Sequence, residues 1–344
     1  MSPTRPVRSL SARLAPWMVS TRYRPGQPGG HYESFYQRAN HPTRPLAFWI
    51  RYTIFVPTGR PEAAIGELWA IVFDGETGQH VLAKEEHPIN TCSFAEDHLA
   101  ARIGDSELSS GRLRGSAAGP DDTISWDLTW TGDADPMFLL PQASYRRSFP
   151  SAKSLVATPL ARYDGRLVVA GRGIEVQGWV GSQNHNWGSR HTDAYAFGQV
   201  AGFDDHPDTF LEIVSARVKV GPVRLPMITC LSLRHDGVTH ELVNPLQGLR
   251  RSRADYGYFF WRFAHRDDRL RIEGEFSAEP DAFVALNYYN PPGGTKQCLN
   301  TKIASCRVRV TDVGSGRVDR LSTTNRALFE ILTDHRGHGI DVRA

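Results

Sequence analysis

The chain has 344 residues, of which 40% are hydrophobic and 22% are charged, and its 31 glycines and 22 prolines together exceed average usage. This composition is typical of a globular protein with one large core or two smaller ones, and it excludes a disordered chain or a coiled coil. The 40 basic and 37 acidic residues nearly balance, and the arginines are scattered, so nucleic acid is not an expected partner. The chain contains no run of about 18 apolar residues, the length that a membrane-spanning helix needs, so no membrane span is predicted.

The amino-terminal stretch, residues 1–23, carries arginines and prolines and lacks the continuous apolar segment of a signal peptide. The four cysteines form no C-x-x-C pair and are too few for a disulfide scaffold. We therefore expect a cytoplasmic protein with reduced cysteines. The sequence gives no indication of the oligomeric state.

Alternation with a period of two dominates the chain and favours β-strands. In chain order, the predicted strands cover residues 48–56, 68–73, 123–130, 167–170, 194–200, 210–220, 258–263, 269–277 and 283–289. Turn signals separate many of these runs, at 74–75, 164–165, 236–237, 265–268 and 314–316. Helical periodicity is confined to residues 94–103 and 325–332. The sequence therefore predicts a mostly-β protein.

The length favours two β-domains over one, because single all-β domains run to about 250 residues. A stretch of turn residues and arginines at 236–253, with Asn244-Pro245 within it, interrupts the strands. We therefore predict an N-terminal domain of residues 1–240 and a C-terminal domain of residues 241–344.

The segment from residue 178 to residue 191 combines two tryptophans, two histidines, three glycines and several amide or hydroxyl side chains. A histidine in such a polar segment can act as a general acid or can orient one, and His185 is the candidate. The same side chains could instead stabilise the segment through hydrogen bonds to its own backbone.

A single carboxylate interrupts an apolar face of the strand predicted at 210–220, since the even positions are apolar except for Glu212. Burial without a counter-charge raises the pKa of a carboxyl group and makes it a general acid near neutral pH. If the odd positions face inward instead, Glu212 is solvated. Glu33 is a further candidate, either for the site or as the buried partner of an arginine.

Metal and nucleotide cofactors are not predicted. His185, His191 and Asp193 lie close together in sequence, but their spacing matches no zinc motif. The chain also contains no G-x-G-x-x-G after a strand, no P-loop and no G-x-S-x-G.

Three segments together resemble a known superfamily. They are residues 31–36 (HYESFY) with the following strand 49–53 (WIRYT), residues 184–188 (NHNWG), and residues 296–304 (KQCLNTKIA). The sequence is similar here to the AttH-like group related to carotenoid 1,2-hydratase, tocopherol cyclase and the lipocalin-like fungal Diels–Alderases.

This resemblance implies two lipocalin-like (calycin) antiparallel β-barrel domains that handle a hydrophobic unsaturated substrate, an isoprenoid, a polyene or a polyketide, without a cofactor. In the hydratase branch, an H-x-W element is followed by an aromatic-x-carboxylate on which acid catalysis depends. Here His185-x-Trp187 is followed by Phe210-x-Glu212, with Phe in place of tyrosine and Glu in place of aspartate.

The resulting functional prediction is a cyclase, hydratase or isomerase in which Glu212 protonates a C=C bond and His185 positions the acid or returns its proton. Aromatic faces would stabilise the carbocation. The predicted substrate-binding residues are Trp187, Tyr195, Trp179, Asn184 and Glu33. Two alternatives stay open, a template that only folds a polyene for ring closure and a non-catalytic carrier of a hydrophobic small molecule.

Overall fold

The computed structural model describes residues 14–344 except residues 121, 218, 221 and 222. Residues 1–13, part of the stretch that underlies the predicted cytoplasmic location, lie outside the described residues. About 59% of the protein is strand and 7% is helix, in two antiparallel sheets of which one curls into a half-barrel. The predicted mostly-β class is confirmed.

The first sheet contains twelve strands within the described residues. Their bounds are β1 His31–Asn40, β2 Leu46–Val56, β3 Ile65–Asp74, β4 Val81–Pro88, β5 Ser93–Phe94, β6 Ala100–Ile103, β7 Ser106–Ser109, β8 Arg112–Ala118, β9 Thr123–Thr131, β10 Met137–Phe138, β11 Ala152–Val169 and β12 Arg172–Gly188. The strand order is β4-β3-β2-β1-β12-β11-β9-β8-β7-β6-β5, and β10 pairs with β11. The first and last long strands therefore lie side by side, with Phe35 opposite His185.

The second sheet contains ten strands in the part of the chain that the structure describes. Their bounds are β13 Ala194–Ala201, β14 Phe210–Arg217, β17 Ile228–His235, β18 Val238–Leu242, β19 Ser252–Tyr256, β20 Phe260–Arg266, β21 Leu270–Ser277, β22 Val284–Tyr289, β23 Thr295–Asp312 and β24 Val318–Thr333. The strand order is β18-β17-β14-β13-β24-β23-β21-β20-β19, and β22 pairs with β23. Two short strands, β15 Lys219–Val220 and β16 Val223–Arg224, form a separate hairpin.

The helical elements are short. The α-helix α1 spans Pro245–Arg251, and single 3₁₀ turns cover Pro16–Met18, Pro61–Ala63, Ile89–Thr91, Gln142–Arg146 and Pro280–Ala282. Within the described residues, no helix is long and apolar enough to cross a membrane.

The chain passes from the first sheet to the second across residues 189–193, whereas the predicted boundary at 240/241 falls inside the second sheet, in β18. The turn-rich stretch that suggested a linker contains α1 instead. Asn244 caps this helix by accepting hydrogen bonds from the backbone N–H groups of Leu246 at 3.0 Å and Gln247 at 3.4 Å. Pro245 occupies its first position and arginines its last turn, which are favourable placements in a helix.

Both predicted helices are wrong. Residues 94–103 contain the end of β5 and the whole of β6, and residues 325–332 belong to β24. In β24 the neighbours Leu328 and Phe329 are both fully buried, on opposite faces, so the period of two is hidden. The turn expected at 164–165 is also wrong, because β11 continues through it with a register shift between Tyr163 and Gly165.

Strands β1 to β3 are buried on both faces. One face, which includes Phe35 and Tyr52, packs in the core of the first sheet. The other face, which includes Tyr36 and Trp49, packs against residues of the second sheet such as Leu286. We call the layer between the two sheets the intersheet layer.

Direct hydrogen bonds cross the intersheet layer. The guanidinium Nε of Arg38 donates to Gln199 Oε1 at 2.8 Å, and the amide of Asn40 donates to the Lys302 carbonyl at 2.7 Å. All four residues are nearly or fully buried. The layer therefore contains polar and charged groups as well as apolar contacts.

Candidate active site

Glu212 lies in the middle of β14, opposite Gln199 of β13 and Ser232 of β17. Its neighbours Leu211 and Ile213 point into the core of the second sheet. The Glu212 side chain points to the intersheet layer, where it has no exposed surface. The predicted burial is confirmed, but the first sheet provides it and not the core of the second sheet.

Neither carboxylate oxygen of Glu212 has a hydrogen-bond partner among the described residues. Burial raises the pKa of this carboxyl group to about 8, although the Gln199 amide and the Arg38 guanidinium oppose the rise. A carboxyl group with this pKa is largely protonated at neutral pH and can donate its proton.

A network of buried polar groups surrounds Gln199 beside Glu212. Gln199 accepts from Ser182 Oγ at 2.6 Å and from Arg38, and it donates to Asn184 Oδ1 at 2.9 Å. A second guanidinium nitrogen of Arg38 donates to Asn40 Oδ1 at 2.8 Å, while its Nη2 has no partner among the described residues. Burial lowers the pKa of Arg38 to about 10. Asn184 thus belongs to the surroundings of Glu212, as a residue that fixes the Gln199 amide.

A second group of buried charges lies in the same layer. Lys302 Nζ donates to Glu330 Oε1 at 2.9 Å and also to Asn300. Burial lowers the pKa of Lys302, and the charge of Glu330 opposes that change. Tyr195, half-buried on β13, lies near Glu330, and burial together with nearby negative charge holds the pKa of its phenol well above the ordinary value.

His185 does not lie beside Glu212, and the predicted pairing of these two residues is wrong. His185 alternates with Asn184 on β12 and faces the core of the first sheet. Its Nε2 is 2.7 Å from Glu33 Oε1 and its Nδ1 is 2.8 Å from the Met18 carbonyl. Both ring nitrogens of His185 are therefore engaged, one by a carboxylate and the other by a backbone carbonyl.

Glu33 is fully buried and its two oxygens accept five hydrogen bonds. Besides His185, the donors are His31 Nε2 at 3.0 Å, Thr21 Oγ1 at 3.0 Å, and the backbone N–H groups of Arg22 and Tyr23 at 2.9 and 3.0 Å. Burial by itself raises the pKa of Glu33, but the bonds from the two histidines outweigh it and lower the pKa to about 2. The carboxylate thus fastens the amino-terminal segment to the first sheet, with histidines in place of the arginine partner considered above.

The two predicted tryptophans also pack in the core of the first sheet. The ring of Trp187 lies 4.5 Å from that of His185, and Trp179 stacks on Phe48 at 6.0 Å. The structure therefore separates the seven predicted site residues. Those that face the intersheet layer are Glu212, Asn184 and Tyr195, whereas those that face the core of the first sheet are His185, Trp187, Trp179 and Glu33.

Sequence reasoning missed Arg38, Gln199, Arg51 and Lys302, all of which are buried in the intersheet layer. A signal was available for Arg51, a lone charge within the apolar run 48–56, by the same reasoning that selected Glu212. Gln199 carries a similar signal, since it is a lone amide in the apolar strand β13, whereas polar residues precede Lys302.

No family model matches the chain. Two uncharacterized proteins of Mycobacterium tuberculosis, from strains CDC 1551 and H37Rv, are each 24% identical to it over 287 residues, which is 82% of this chain and 82% of theirs.

Solved structures give the fold. A protein described as AttH from Nitrosomonas europaea matches with a TM-score of 0.57 at 14% identity, covering 97% of this chain and 99% of that one. Kievitone hydratase from Nectria haematococca matches with a TM-score of 0.54 at 13% identity, covering 92% and 96%. CghA matches with a TM-score of 0.52 at 12% identity, covering 94% and 96%. The protein thus has the AttH-like, lipocalin-like fold, and the predicted resemblance is confirmed at the level of the fold.

Proposed function

We propose that the protein is a cofactor-independent hydratase, cyclase or isomerase that protonates a C=C bond of a hydrophobic unsaturated substrate, with Glu212 as the acid. The observation that carries this proposal is a fully buried carboxyl group whose oxygens are both unpartnered and whose pKa is about 8. The shared fold of kievitone hydratase, which is a hydratase by its name, supports it.

In this mechanism the Glu212 carboxyl transfers its proton to one alkene carbon. The π electrons form the new C–H bond and leave a carbocation on the other carbon. The ring of Tyr36 or Tyr195 in the intersheet layer stabilises that cation, by about 2 kcal/mol when desolvated. Water or a nucleophile within the substrate then captures it, and the proton that is released returns to the Glu212 carboxylate.

The neighbours of Glu212 have positioning roles in the same proposal. Gln199 is held by Ser182 and Asn184 and limits the movement of the acid. The positive charge of Arg38 stabilises the carboxylate between the two proton transfers. His185 takes no part, since Glu33 and the Met18 carbonyl engage both of its ring nitrogens.

The test is a reaction in D₂O with a panel of isoprenoid and polyene alkenes, followed by mass spectrometry. Protonation of carbon places one non-exchangeable deuterium in the product. Glu212→Gln keeps the shape of the side chain and is expected to slow turnover about 100- to 10,000-fold. The matched control is Glu175→Gln, because Glu175 is exposed on the first sheet.

Two results would count against the acid role. Turnover by Glu212→Gln within a few-fold of the native rate is one, and a product without deuterium is the other. The second result combined with a severe loss on replacing Tyr195 would indicate a template for pericyclic ring closure.

A carrier of a hydrophobic molecule is the second candidate function. It is favoured by Trp49 and Trp69, whose buried indole N–H groups have no partner among the described residues and can hold a ligand without any reaction. If the protein is a carrier, mass spectrometry of the co-purified ligand would find it chemically unchanged. The Glu212→Gln variant would then bind that ligand as tightly as the native protein does.

A further inference from the structure

Arg51 is a buried cation with no carboxylate of a described residue within ion-pair distance. Burial alone would lower its pKa, but Tyr288 and the more distant charges of Glu67 and Glu330 raise it. It is 5% exposed, and its one hydrogen bond within the described residues runs from Nε to Ser34 Oγ at 2.9 Å. The guanidinium lies 4.6 Å from the ring centroid of Tyr288 and 5.7 Å from that of Trp49. Buried cations in proteins are normally paired with an anion, so this arrangement calls for a further acceptor.

Further donors surround Arg51. Tyr36 lies directly opposite it in the β1–β2 register, and Tyr195 lies close enough to influence its charge. Neither phenol hydroxyl forms a hydrogen bond with a described residue. Trp69 is the register neighbour of Arg51 on β3, and its indole N–H is unpartnered, as is that of Trp49.

The amide of Asn300 completes this set, since its Nδ2 is buried and unpartnered as well. These groups share one property, which is that each can donate a hydrogen bond that no described residue accepts. We call Arg51, Tyr36, Tyr195, Trp49, Trp69 and Asn300 the donor cluster. A cluster of unpartnered donors is complementary to oxygen atoms with lone pairs, above all to an anionic or carbonyl oxygen.

We infer that the donor cluster is a subsite for an enolate, phenolate or carbonyl oxygen of the substrate. The substrate class is then a conjugated oxygen-bearing compound and not a pure hydrocarbon. This inference rests on the proposed location of the site in the intersheet layer, but it does not depend on Glu212 as the acid.

The position of the subsite relative to Glu212 follows from the strand register. Tyr36 and Arg38 are two residues apart on one face of β1, which is a spacing of roughly 7 Å. Arg38 reaches Gln199, the cross-strand neighbour of Glu212. Measured along β1, an oxygen bound at the donor cluster would therefore lie roughly 7 Å from the position of Glu212. A conjugated substrate can span that distance.

The experiment uses 4-nitrophenol as the probe and 4-nitroanisole as its match without an ionisable oxygen. The absorbance of bound nitrophenol reports its ionisation. We expect the full-length protein to bind the phenolate at least tenfold more tightly than the phenol or the anisole, so that the bound probe ionises at lower pH. Arg51→Met should abolish this preference, and Tyr195→Phe should reduce it several-fold.

Two control variants separate this inference from the proposed function. Tyr289→Phe removes a hydroxyl that bonds to Glu86 at an exposed position, and it should leave the preference unchanged. Glu212→Gln should also retain the preference while it loses turnover.

Equal binding of anisole and phenolate, or an unchanged preference in a folded Arg51→Met variant, would overturn the inference and leave the role of Glu212 intact. If Arg51→Met does not fold, the pair Tyr195→Phe and Tyr36→Phe decides, and the inference is wrong if neither reduces the preference.

Discussion

Glu33 and Glu212 are both completely buried, yet their surroundings differ in every other respect. Glu33, on the core side of the first sheet, accepts five hydrogen bonds and has a pKa of about 2. Glu212, in the intersheet layer, accepts none from the described residues and has a pKa of about 8. The difference between the two pKa values therefore comes from the number of hydrogen-bond donors that reach each carboxyl group, and not from the extent of burial.

The backbone explains why the donors differ. Glu33 faces the irregular segment 20–23, whose N–H groups are not used in a sheet ladder, so two of them bind the carboxylate. Glu212 lies in a strand paired on both sides, where neighbouring N–H groups already bond to other strands. A carboxyl group at such a position depends on side chains, and here they leave it unpartnered.

The largest expected effect on stability comes from Glu33→Gln. The substitution removes the buried carboxylate that holds His185, His31 and the segment 20–23, and losing the charged member of such a buried group costs about 3–5 kcal/mol of the free energy of unfolding. Urea titration followed by circular dichroism measures this loss. Glu175→Gln, at an exposed position, should change the free energy little. A loss below 1 kcal/mol for Glu33→Gln would show that its hydrogen bonds are not decisive.

Glu212 should make the protein less stable as the pH rises. Its pKa in the folded protein, about 8, lies above the ordinary 4.5, so the unfolded chain holds fewer protons than the folded one between these values. Stability therefore falls across about pH 5 to 8, by up to about 1.4 kcal/mol per pH unit. Unfolding measured over this range should show a flatter profile for Glu212→Gln. Identical slopes in both proteins would contradict the raised pKa.

Glu33 should give the opposite dependence at acid pH. Its pKa in the folded protein, about 2, lies below the ordinary 4.5, so its contribution is present above pH 4.5 and is lost as the pH falls towards 2. Acid unfolding followed by tryptophan fluorescence should show this loss in the native protein. Glu33→Gln, already destabilised, should lack this component, and an equally steep acid profile in the variant would assign the loss to other carboxylates.

The smallest expected effect compares one hydroxyl from each region. Thr21 donates to the charged Glu33, so Thr21→Val should cost about 1.5–3 kcal/mol. Ser232, opposite Glu212, has a buried hydroxyl without a partner among the described residues, so Ser232→Ala should leave the free energy of unfolding unchanged or slightly raised. Denaturant titration of the two variants side by side tests this, and equal losses would erase the contrast between the regions.

The sequence alone determined the β class and most strands, because these follow from local alternation and turn residues. The boundary predicted from the sequence does not coincide with the passage from the first sheet to the second. The reason is that helix caps and linkers contain the same residue types, as at Asn244-Pro245. The period of two is also hidden in β24, where both faces are buried.

The tertiary structure alone decided which candidate residues meet. His185 and Asn184 are adjacent in sequence but point to opposite sides of β12, one to Glu33 and the other to Gln199. Alternation along a strand shows that the side chains of adjacent residues point to opposite faces, but it does not show which of the two faces a second sheet covers. The packing of the two sheets made that choice, and with it the buried, unpartnered state of Glu212.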